Sequence, residues 1–79
     1  MKLRDAFYRD LPNEQSVYDY GARTDGNPVY AGFAKLGVAE SVGPWIMIFS
    51  KYNVDGTVSK EYRLEGVWSN RAVLFLPYV

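Results

Sequence analysis

The 79-residue chain has no cysteine and no histidine. The first absence excludes disulfides. Together they remove the main ligands of the usual zinc, iron–sulfur and haem sites. General acid–base chemistry loses its most frequent agent, and thiol nucleophiles are ruled out. Charge of one sign is also missing: nine basic residues balance nine acidic ones. Non-specific nucleic-acid binding rests on a basic surplus or stripe, and neither is present. Long apolar runs are lacking too. "MKLRDAFYRD" is interrupted by charges every few residues, unlike a signal peptide. No stretch approaches the roughly 20 apolar residues of a membrane helix. The expectation is a protein made in the cytoplasm, without export by a classical signal.

What is present is apolar bulk. Hydrophobic residues make up 48% of the chain and aromatic ones 16%. A chain this short forms one domain with a thin stability margin, and small domains add disulfides, metals or neighbouring subunits in compensation. With the first two removed, association is the support that remains. A neutral surface favours it.

Residues 1–27 read as an N-terminal arm. "LPNEQSVYDYGARTDGNP" is dense in turn formers, and its apolar residues follow no period of 2 or 3.6. Leu3 and Phe7 stand one helical turn apart, but an isolated helix of this length is marginal. Tyr8, Tyr18 and Tyr20 argue that the arm packs against something, either its own domain or a neighbouring subunit.

From residue 28 to 79 the pattern is β. The expected strands are 29–36, 45–52, 57–64 and 71–76. "WIMIFSKY" (45–52) is a nearly continuous apolar run, as in a strand covered on both faces. "NVDG" (53–56) is a strong hairpin signal. "TVSKEYRL" (57–64) alternates, with Thr57, Ser59, Glu61 and Arg63 on one side and Val58, Lys60, Tyr62 and Leu64 on the other. "RAVLFLPYV" reads as a last strand, with Pro77 at an edge or beyond the paired region. The fold class expected is mainly β: a small antiparallel meander, or a sandwich- or barrel-like sheet, of about four strands with an irregular arm.

No catalytic, metal or cofactor-binding constellation emerges. No "GxSxG" elbow and no phosphate-cradling glycine motif occurs. Carboxylates stand singly, and "DYGARTDGN" fails the ligand offsets of an EF-hand. The reading is a non-enzyme with no cofactor, no small-molecule substrate, no nucleic acid and no membrane. The rings of Tyr30, Phe33, Trp45, Phe49, Tyr62 and Trp68 are explained first by core packing, then by an interface, then by a ligand surface. Arg71 beside Trp68 is expected to bind turn carbonyls or stack on a ring, with Asn70 bonding the turn. The sharper reading is an inter-subunit contact. The candidate interface residues are Trp68, Arg71, Leu74, Leu76 and Tyr78.

The order of "GNPVYAGFA", a Gly/Ala/Ser loop, a Trp-led apolar strand, "YNVDGTV" and "VWSNRA" resembles small β-rich virion structural proteins of tailed bacteriophages. The resemblance covers residues 26–76. In this chain "WIMIFSK" stands where that group alternates with basic residues, and "VLFLPYV" replaces a polar ending; both favour a buried interface. The resemblance implies a virion protein, assembled in the host cytoplasm, that self-associates or docks on capsid or tail as a decoration, neck or tail component. The alternative is a small module that recognises a host protein or glycan through surface aromatics. A third reading, a small nucleic-acid-binding barrel, predicts strongly salt-dependent DNA binding.

Overall fold

The structure, a computed structural model, describes residues 14–79. Residues 1–13, nearly half of the arm expected over 1–27 and the stretch where a short helix was considered, lie outside the described residues. The others form one open four-stranded antiparallel sheet in the order β1-β2-β3-β4, with a helical segment after it. The strands are β1 Glu14–Asp19, β2 Tyr30–Lys35, β3 Trp45–Tyr52 and β4 Val58–Gly66. The mainly β meander expected from the sequence is therefore present, but its strands are not all the expected ones.

The first difference is at the start. Residues 14–19 pair with β2 along their whole length, from Glu14 opposite Lys35 to Asp19 opposite Tyr30. "EQSVYD" hides this role because only Val17 and Tyr18 are apolar and they are adjacent, so one goes to each face. An edge strand with one apolar residue per face leaves almost no alternation to read.

The second difference is at the end. Residues 71–76 are not a strand. Trp68–Asn70 form a 3-10 turn, Arg71–Leu74 a short helix α1, and Leu76–Tyr78 another 3-10 turn. A short apolar run does not by itself separate a strand from a buried helical turn. Trp68, Arg71, Phe75 and Tyr78 are spaced at helical intervals, and this spacing is what packs on the sheet. Pro77 stands in the first turn of the last 3-10 element, where its missing N–H costs nothing, rather than at a sheet edge.

The middle follows expectation. Asn53 and Thr57 close the β3–β4 hairpin, with the Asn53 N–H donating to the Thr57 carbonyl at 2.7 Å. Gly56 sits at φ +90°, a conformation that L side chains rarely adopt. Asp55 Oδ1 accepts from both the Thr57 hydroxyl (2.6 Å) and the Thr57 N–H (3.0 Å). These bonds, the hydroxyl first, hold the Asp55 carboxyl below its ordinary pKa. A register shift at Lys51/Tyr52 marks a bulge just beyond the turn.

β3 is apolar on both faces because both are used. One face carries Val17, Tyr30, Ala34, Trp45, Met47, Phe49, Tyr62 and Leu64, and the C-terminal segment covers it with Trp68, Leu74 and Phe75. The other carries Ala31, Phe33 and Ile48, also buried, with Tyr18 packed against them. On β4 that second face turns charged, through Glu61, Arg63 and Glu65, all exposed.

Candidate functional site: the C-terminal helical segment

The tail closes the main core. Trp68 is 2% exposed and lies against Trp45, with ring centroids 6.2 Å apart. It needs the glycine beneath it: a Cβ built on Gly32 would stand 2.5 Å from a Trp68 ring carbon. Phe75 is fully buried, 5.5 Å from the Phe49 ring and 5.9 Å from that of Tyr30. Tyr78 stacks on Tyr62 at 4.6 Å. Aromatic pairs in such arrangements contribute about 0.5–1.5 kcal/mol beyond the area they bury.

Polar bonds fix the segment at its start. The Ser69 N–H and hydroxyl both donate to the Glu40 carbonyl, at 3.0 and 3.1 Å. Arg71 reaches back to the first strand: Nε and Nη2 donate to Asp19 Oδ2 at 3.1 and 2.9 Å. Its Nη1 donates to the Trp68 carbonyl at 3.1 Å, and the guanidinium lies 4.4 Å from the Trp68 ring centroid. One planar cation thus ties the end of β1, the turn carbonyl and the indole together. The Gly21 N–H donates to Asp19 Oδ1 at 2.9 Å. That bond, and then Arg71, holds the Asp19 carboxyl below its ordinary pKa.

The five candidate interface residues separate by this geometry. Trp68 is in the chain's own core. Arg71 makes both of the local contacts expected of it, a turn carbonyl and a ring, and adds Asp19. Leu74 is half-buried against Gly66. Tyr78, 38% exposed, shields Tyr62. Leu76 points out, 65% exposed. Alternation on a strand would have put Leu74, Leu76 and Tyr78 on one face; the helical turn sends Leu76 the other way. Asn70 makes no side-chain cap bond, contrary to the role expected of it. Phe75, which carries the contact with the sheet, was missed. The signal for it is its place seven residues after Trp68, two helical turns on.

The outward face of the segment is apolar. Val73, Leu76 and Val79 are 73%, 65% and 74% exposed and recur every third residue. Among the described residues, no three His, Cys, Asp or Glu side chains are grouped so as to hold a metal ion, and no helix is long and apolar enough to cross a membrane. Comparison with protein-family models, with curated proteins and with solved structures found no match to this chain.

Proposed function

We propose that this chain is a structural component that acts by association: a virion protein of a tailed bacteriophage that binds further copies of itself or docks on the capsid or tail. The observation that carries this reading is the exposed stripe of Val73, Leu76 and Val79. It stands on a segment clamped to the sheet by Trp68, Arg71 and Phe75, so the apolar side chains are presented by a fixed support. A small domain gains from having such a stripe covered, since each apolar side chain removed from water contributes on the order of 1–3 kcal/mol. The motif order from "GNPVYAGFA" to "VWSNRA" supplies the phage context.

Recognition of a host protein or glycan through surface aromatics has less support. Phe33, Trp45, Phe49, Phe75 and Trp68 are buried, which leaves few large rings for a ligand. The reading is tested by mass spectrometry of purified virions and by co-sedimentation of the chain with particles. Many copies per particle is the expected result. Absence from particles, with no self-association, contradicts it.

A further inference from the structure

We infer that the outer edge of β4 is a self-complementary pairing surface for a second copy of this chain, with a two-fold axis at Tyr62. The inference rests on the associating role proposed above and names one surface through which it operates.

β4 is nine residues long and, among the described residues, ends the sheet with β3 as its one strand neighbour. Its free backbone groups can be assigned. The Ser50 N–H donates to the Val29 carbonyl at 2.9 Å, so the polar backbone groups of Ser50 point towards β2 and those of Phe49 towards β4. Phe49 is opposite Tyr62. The backbone groups of Tyr62 therefore face β3, and those of Glu61 and Arg63 face outward. Such a row is a template for another strand.

The side chains select both occupant and register. Even-numbered displacements keep each face of the combined sheet on its own side, whereas a slip of one residue reverses every side chain. In an antiparallel pair centred on Tyr62, Glu61 lies directly opposite Arg63 of the second copy, and the symmetry repeats the pair. Glu61 and Arg63 would also exchange the outward backbone hydrogen bonds. Displacing the register by two residues in one direction opposes Glu61 to itself. Displacing it in the other opposes Arg63 to itself and Glu61 to Glu65. Cross-strand like charges destabilise and unlike charges stabilise, so this edge rejects its neighbouring registers and accepts one. Both charges are available for it. Arg63 has no ion pair among the described residues, and Glu61 has only a long bond, 3.4 Å, from the Ser50 hydroxyl. The bulge opposite Lys51/Tyr52 twists the start of β4 and limits the pairing to residues beyond it. At the axis, Tyr62 meets its equivalent in a non-hydrogen-bonded pair, where side chains approach most closely. The ring of Tyr78 stacked on each extends that contact.

The test is sedimentation equilibrium of the full chain beside Glu61→Arg, Arg63→Glu and the double exchange. All three changes are at exposed positions of a strand that stays paired with β3. The expected result is self-association of the native chain, weakened about tenfold or more by either single reversal and restored by the double exchange. Association that both single reversals leave unchanged overturns the edge pairing while self-association stands. Single reversals that weaken association without restoration by the double exchange overturn this register. A native chain that remains at 9.0 kDa at every concentration overturns the edge pairing altogether; docking on particles is then decided by the virion measurement above.

Discussion

At the scale of single residues, two contacts decide how the tail meets the sheet. Gly32 is one. A methyl group there collides with the indole of Trp68 at 2.5 and 2.7 Å and crowds Val17 at 3.2 Å. Gly32→Ala is expected to cost about 1–3 kcal/mol, as overpacked core positions do, measured by urea unfolding. The other contact is Asp19 with Arg71. The folded pKa of Asp19 lies below its unfolded value, so its contribution is fully present above the unfolded value and is lost as pH falls through the folded one. Stability should therefore decline below about pH 4. Asp25 and Asp55 are shifted the same way, Asp25 chiefly by its bond from Arg23, so the decline is shared. Glu14 opposes it: burial raises its pKa, which makes its contribution less favourable as pH rises through the range just above its ordinary value. Asp19→Asn should flatten part of the acid limb in thermal unfolding followed from pH 2 to 7. At neutral pH the same change should cost about 1 kcal/mol or less, because the pair is partly solvated.

At the scale of elements, Phe75 is the most deeply buried ring of the C-terminal segment. Phe75→Ala removes a fully buried side chain from between Tyr30, Phe49 and Tyr78. Its expected cost is about 3–5 kcal/mol, a large part of the stability of a small domain. A lowered urea midpoint checks it, and tryptophan emission should shift to the red as Trp68 becomes solvated. Legibility in the sequence follows the strength of the local pattern. "WIMIFSKY" and "TVSKEYRL" bracket a turn with a glycine at positive φ; the hairpin and the first strand came out as read, and the second runs Val58–Gly66 with the expected facing from Lys60 to Leu64, the bulge turning Val58 to the other side. "EQSVYD" is a strand only because β2 is beside it; its pairing is a tertiary fact with little local trace. "RAVLFLPYV" has the composition of a strand and the spacing of a helix. The decision between them lies in the sheet, whose open face needs Trp68, Phe75 and Tyr78 at helical intervals. The placement of the candidate residues was legible in the same measure. Arg71 binds a turn carbonyl and a ring as read, and the core position of Trp68 agrees with the first explanation given for its ring, but reading 71–76 as a strand left Phe75 without its role in the core.

At the scale of the whole molecule, the absences that open the sequence and the surface that closes the structure are related. A chain without thiols or imidazoles has neither disulfides nor the usual metal sites to stabilise it. Its sheet has a long polar edge at β4, and its tail exposes Val73, Leu76 and Val79. Val73→Ser with Leu76→Ser changes only exposed positions, so the stability of the isolated chain should move by no more than about 0.5 kcal/mol per site. Association should weaken all the same. The most direct test of the account is therefore the mass of the full native chain by sedimentation equilibrium, with that double variant beside it and purified particles as the second binding partner. The account predicts a native species heavier than 9.0 kDa, or one captured by particles, and a variant that folds equally well but associates less. A native chain that stays at 9.0 kDa and ignores particles contradicts it.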